Sequence, residues 1–266
     1  MSRGARFLLR HAAKLAALLV GLWLVSIAFA MGSARGPRAV WLSTLVLLIV
    51  AMLALAIWAR WQRERAVREG ALPQFLKRKL RERFPQLDGR DSDLVERGFR
   101  QFFMACARSN GRYVAMPSKI VDAYWHALIL DTKSYADWCD RTLGRFLHHI
   151  PAERLGSDAM ANDGLRRAWF WSCRDEAIDP RKPSRLPLLF ALDTKLGIAG
   201  GIVYSPASRP KLAAAAAATA GVEISYGDDF GDASFAGDAD AMGGVDGGGD
   251  GDGGGDGGGC GGGGGD

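Results

Sequence analysis

The stretch DLVERGFRQFFMACARSNG, Asp93 to Gly111, reads as one amphipathic helix with a start and a stop. Asp93 followed three residues later by Glu96 has the form of a capping box. Val95, Phe99, Phe102 and Cys106 then fall on one stripe at helical spacing, and Ser109-Asn110-Gly111 ends it. The chain around this helix repeats the pattern. Pro117 suits the first turn of a second helix that runs to about Leu130. Asp131 or Thr132 caps a third, through Tyr135, Trp138 and Cys139, which Gly144 stops. Asn162 or Asp163 caps a fourth, with Leu165, Trp169 and Cys173 aligned as core. Pro180, Pro183 and Pro187 punctuate the approach to Leu188–Leu192, and only Gly201–Tyr204 reads as extended. The fold class is therefore all-α, without internal repeats, over a soluble domain at 85–210.

Working outward, the ends differ sharply from this centre. All 34 Lys and Arg precede residue 227, whereas 10 of the 29 acidic residues follow it, so the formal charge of +5 sums a basic body and an acidic tail. The tail, residues 227–266, is half Gly and a quarter Asp. It lacks the apolar side chains that offset chain entropy, so a disordered tether is expected. Its Asp-Gly clusters do not match a calcium-binding nonapeptide. Lys211–Val222 is an Ala-rich segment too short to span a bilayer, within a linker at 211–226. Four Cys without paired spacing exclude a disulfide scaffold, and Cys260 stands alone among glycines as a reduced thiol.

Toward the N-terminus lie two uncharged apolar runs, Leu15–Ala34 and Ala39–Ala59, joined by Arg35-Gly36-Pro37-Arg38. Runs of about 20 residues match the roughly 30 Å of bilayer hydrocarbon, so a two-helix transmembrane hairpin is expected, with spans at 15–34 and 39–59. Trp41, Trp58 and Trp61 sit where interfacial aromatics belong. Arg3, Arg6, Arg10 and Lys14 precede the hairpin, and Arg60, Arg63, Arg65 and Arg68 follow it. This places both termini and the large domain in the cytoplasm of an inner (plasma) membrane protein. Ala28-Phe29-Ala30 has the form of a cleavage site, but the apolar stretch continues past it, which favours an uncleaved hairpin. The basic segment at 60–84, densest at Lys77-Arg78-Lys79, faces anionic lipids. No RNA- or DNA-binding motif accompanies it, so nucleic acid is disfavoured as a partner.

Three of the four histidines lie within 24 residues. Asp122 and His126 are four apart on one helix face, Cys139 follows, and His148 and His149 close the group. Imidazole and thiolate are ligands for zinc or a similar divalent ion. His126, Cys139 and His148 or His149 supply three, with Asp122 as a fourth ligand or as the hydrogen-bond partner of His126. The competing reading is a hydrogen-bonded Asp122–His126 pair beside a core Cys139. A thiol–imidazole dyad has thinner support, and no nucleophile elbow, phosphate loop or dinucleotide fingerprint occurs.

The run Met116 to His126, followed by Thr132, Tyr135, Cys139, Gly144 and His148-His149, resembles the glycine-rich domain-containing protein-like family. Its pattern is an Asp, a Trp-His pair, a Tyr, a Cys, a Gly and a terminal His. Glu176–Pro180 and Leu186–Asp193 resemble its bacterial members, and the likeness covers residues 85–205. The resemblance implies an α-helical domain with a Gly-rich C-terminus, in this chain membrane-anchored. It groups Asp122, Trp125, His126, Tyr135, Cys139 and His149 as one constellation. Some plant relatives carry an RNA-recognition domain, which this chain lacks. The leading functional expectation is a cytoplasmic interaction or scaffold domain with an unknown protein partner and no enzymatic role. The alternative is a membrane-tethered metal-binding protein or metalloenzyme centred on His126, Cys139 and His148-His149.

Overall fold

Helix α4, Gly89–Arg108, is the element on which the others pack. The computed structural model describes residues 3–32, 38–150, 158–205 and 224–226. In chain order the elements are α1 (Arg3–Gly32), α2 (Arg38–Glu69), α3 (Phe75–Arg83), α4, α5 (Lys119–Ile129), α6 (Thr132–Thr142), α7 (Asp158–Asp175), α8 (Leu188–Lys195), β1 (Val203–Ser205) and β2 (Ile224–Tyr226). Among the described residues the protein is all-α apart from this one strand pair.

Helix α4 starts earlier than its sequence suggests. Its cap is Asp88, which accepts from the Asp91 N–H at 2.7 Å, while the Asp91 carboxylate accepts from the Asp88 N–H at 3.0 Å. That reciprocal pair adds a turn ahead of Asp93. Asp93 and Glu96 instead hold Lys77 of α3, each at 2.7 Å. The expected stripe is in place, with Val95, Phe99, Phe102 and Cys106 all buried. The ring of Phe102 lies 5.1 Å from that of Trp125 on α5, and Phe103 lies 5.8 Å from Trp138 on α6. Helices α5 and α6 have 11 residues each, below the length at which an isolated helix is stable in water. Their buried aromatic faces on α4 hold them.

The short helices also cap one another. Asp193 near the end of α8 accepts from the Lys119 and Ile120 N–H groups at the start of α5, at 2.8 and 3.1 Å. Its carboxylate also takes the Ser118 hydroxyl at 2.7 Å and the Ile202 N–H at 3.0 Å. At the start of α8, the Leu188 N–H donates to Glu176 and the Leu189 N–H to Gln101. Orphan helix donors are thus satisfied by carboxylate or amide groups from other elements. Gly98 permits the close approach of α4 and α8, since a Cβ there would lie 2.3 Å from Leu192 Cδ1.

Other expectations shift by up to about a turn and a half. Ser118 caps α5, so Pro117 lies just outside the first turn expected for it; Asp131 caps α6 as expected, and Gly144 takes φ +70° just after α6. Helix α7 begins at Asp158, upstream of the expected Asn162 or Asp163. The extended segment at 201–204 becomes β1, and it pairs in parallel with β2, inside what reads from sequence as linker. The Ala-rich segment, the tail and Cys260 lie outside the described residues.

Among the described residues one helical segment, Ser43–Glu69, is long and apolar enough to cross a membrane. This differs from the expected pair of spans. The other apolar segment is Lys14–Ala28, within α1. Helix α1 continues unbroken through Ala28-Phe29-Ala30 to Gly32 and packs against α2, where the Trp23 indole donates to Thr44 Oγ1 at 3.2 Å. The outward faces of both helices are apolar, with Leu22, Val25, Leu47 and Ile57 exposed. The other end of α2 enters the helical domain. Val67 is buried, Arg100 donates to the Val67 and Gly70 carbonyls at 2.7 and 2.8 Å, and Arg68 pairs with Asp175 at 2.8 Å. The apolar helix is therefore continuous with the domain's core.

Candidate metal centre

Helix α5 buries Ile120, Val121, Tyr124, Trp125 and Leu128 against α4 and its neighbours. That leaves Asp122 and His126, one turn apart, on the half-exposed face. His126 Nδ1 lies 3.0 Å from Asp122 Oδ2 and 2.9 Å from the Asp122 carbonyl oxygen. The segment after α6 brings His149 to the same place, with Nε2 3.3 Å from Asp122 Oδ1. The two imidazole centroids are 4.4 Å apart. One donor atom from each of Asp122, His126 and His149 lies within 4.8 Å of the others. For bonds of 2.0–2.1 Å, neighbouring ligand atoms around one ion are separated by about 2.9 Å in octahedral and 3.4 Å in tetrahedral geometry. The two Asp122–imidazole separations, 3.0 and 3.3 Å, fall in this range, each running from a different oxygen of the carboxylate.

His149 is placed by the side chains beneath it, of which Trp125 and Tyr135 are buried and Phe146 is exposed. The Tyr135 hydroxyl accepts from the Trp125 indole N–H at 3.3 Å and donates to the Leu147 carbonyl. The Phe146 ring meets Tyr135 edge-on at 5.1 Å, and the Trp125 ring lies 4.9 Å from His149. Burial pushes the Cys139 thiol up, and the neighbouring Leu147 N–H and Tyr135 hydroxyl offset this only in part. Burial likewise raises Tyr135, Cys106 and Cys173, the last to about 12. These thiols stay protonated near neutrality, which leaves them poor nucleophiles.

Of the five residues singled out from sequence, the structure brings together Asp122, His126 and His149. Cys139 lies in the core under Leu147, 1% exposed, outside the donor cluster. His148 turns its ring toward Phe146, with centroids 5.0 Å apart, and is also outside it. Sequence reasoning missed Asp193. Its four donors fix the start of α5, and thereby the helix that carries Asp122 and His126. The one available signal was an acidic residue at the end of an otherwise apolar helix, which says nothing about what it caps.

The class these features define is a helical domain, continuous with an apolar helix, that carries a half-open cluster of two His and one Asp. The chain belongs to the UCP032817-like family, whose model matches residues 62–224. That match begins just beyond Trp61 and stops before the Gly/Asp tail, and it carries no glycine-rich-domain designation. No curated protein and no solved structure matches the chain.

Proposed function

We propose that this protein is a membrane-anchored domain that binds a divalent transition metal, zinc or a similar ion, through Asp122, His126 and His149. The observation that carries this reading is the convergence of one carboxylate and two imidazole donors within 4.8 Å of one another. A site with three protein ligands and solvent at its open side has the form of a catalytic or exchangeable centre, not a closed structural one. Two imidazoles with one carboxylate also suit iron, nickel or cobalt. The test uses the full chain in detergent micelles, titrated with cobalt(II) and followed by its ligand-field absorption. Wild type should bind stoichiometrically. His126→Ala and His149→Ala should abolish the signal, and Cys139→Ala and His148→Ala should keep it. A wild type that binds no more cobalt than His126→Ala overturns the reading.

The anchor is proposed as a two-helix hairpin, α1 pairing with α2, with both termini in the cytoplasm and the basic segment 60–84 against anionic headgroups. It is supported by the α1–α2 contact and by the arginines flanking both outer ends. A reporter fused after Asp266 should work only if it functions in the cytoplasm; activity of a disulfide-dependent reporter there reverses the topology. Kinship with the glycine-rich domain-containing protein-like family rests on the motif residues from Asp122 to His149. A second reading, docking on an acidic protein, draws on a cavity of about 770 Å³ beside the end of α2, where Arg97 and Lys195 line the wall beside the paired Arg68–Asp175 and Arg185–Glu176. Reversing the charge of Arg97 and Lys195 should then remove cross-links that wild type forms in cells.

A further inference from the structure

A second cavity, of about 210 Å³, opens beside the His cluster. Its walls include Phe102, Tyr113, Trp125 and Phe146, with His149 and exposed Arg145. Among the described residues, no carboxylate lines it. Its volume falls below the roughly 300–1,000 Å³ of drug-sized sites, so an occupant must be small. Ring walls favour a flat aromatic guest, held edge-to-face or offset. The guanidinium of Arg145 favours a carboxylate, which it can grip with two parallel hydrogen bonds. Asp122 and His126 do not line this cavity, whereas His149 does.

We infer that this cavity binds a small aromatic carboxylate, its ring among Phe102, Trp125 and Phe146 and its anion on Arg145, and that His149 couples this site to the metal. The cavity and Arg145 stand independently of the metal; the coupling rests on the proposed Asp122–His126–His149 centre. The physical route is the 144–150 segment. A ligand packed on Phe146 and His149 restrains the same stretch that must hold His149 toward Asp122. Each ligand then lowers the ordering cost of the other, and the enhancement is reciprocal.

The experiment uses the full chain in micelles with benzoate as the probe. Binding is read by isothermal titration calorimetry and by quenching of tryptophan fluorescence. Wild type should saturate in the micromolar to millimolar range, and Arg145→Glu should weaken binding about tenfold or more. Cobalt(II) should tighten benzoate about fivefold or more, and benzoate should tighten cobalt by the same factor. His126→Ala should keep benzoate binding but lose the tightening, while Arg145→Glu should keep the cobalt absorption. Benzoate that fails to saturate wild type, or binds Arg145→Glu equally well, overturns the site. If wild type takes no cobalt but binds benzoate through Arg145, the metal reading fails and the cavity assignment stands without its coupling. Cobalt binding with unchanged benzoate affinity overturns the coupling alone. Arg145 is exposed, so its replacement leaves the fold intact, and unchanged far-ultraviolet circular dichroism verifies this.

Discussion

Helix α5 has a carboxylate at each end of its chemistry, and the two are treated in opposite ways. Asp193, docked on the helix start, is 2% exposed and accepts from four donors of fixed geometry. Asp122, one turn into the helix, has a side chain 33% exposed, and its partners are two imidazoles. The first has its acceptor sites filled by backbone and hydroxyl groups that cannot leave. The second faces groups that can exchange a proton for a metal. Saturation by immovable donors marks a structural carboxylate, whereas the imidazole partners of Asp122, open to solvent, are what the proposed metal site rests on.

Replacement of Asp193 by Ala should produce the largest loss. Four donors would lose a charged acceptor at once, a cost of about 3–5 kcal/mol. Thermal melts of the full chain should show it equally with and without chelator. A chelator-dependent loss would break the comparison, because Asp193 would then act through the metal.

Next is Tyr135→Phe, which removes the tie between Trp125, Tyr135 and Leu147. Leaving two buried partners unmet should cost about 1–3 kcal/mol. Metal affinity should also fall about 10–100-fold, as expected when a group orienting a ligand is lost. Unchanged cobalt affinity in a folded Tyr135→Phe protein would show that His149 is placed without this tie.

Acid should expose a third carboxylate type, intermediate between the two. Burial works against charge on Glu176, yet the Leu188 N–H, the Gln101 amide and Arg185 together hold its pKa below the ordinary value. Glu96 is likewise held low, against burial, by Lys77 and Arg100. A depressed folded-state pKa means that the unfolded chain binds more protons in this range. Stability from these two groups is therefore complete above the ordinary glutamate value of about 4.3 and lost as pH falls through the folded values. Denaturant midpoints measured downward from pH 5 should decline, and less steeply in Glu176→Gln. A flat profile would remove Glu176 from the capping of α8.

The smallest effect is expected for His126→Ala without metal. Its contact with Asp122 is half-exposed, and such pairs contribute about 1 kcal/mol or less. A chelated melt should therefore barely separate mutant from wild type. A loss approaching that of Asp193→Ala would make Asp122–His126 a folding contact and collapse the distinction between the two carboxylates.

Much of the helical frame was legible in the residues. The Val95–Phe99–Phe102–Cys106 stripe, the Asp131 cap, the Gly144 stop and the Leu165–Trp169–Cys173 face follow from local periodicity and from backbone needs that single side chains meet. The apolar helix that continues into the domain was legible for the same reason, since hydropathy acts along the chain. The site was legible only as a set of five residues, Asp122, His126, Cys139, His148 and His149. Selecting three of them required the 143–150 segment to be laid over α5 by the Tyr135–Leu147 tie, a contact between residues 12 apart that no helical period encodes. The same holds for Asp193 and Glu176, which cap helices far along the chain, and for β2, which pairs with β1 across an intervening segment. Local spacing determined which helices form and which faces they bury. Tertiary packing decided which polar groups meet, because a carboxylate's role depends on whether fixed donors or exchangeable imidazoles surround it in space.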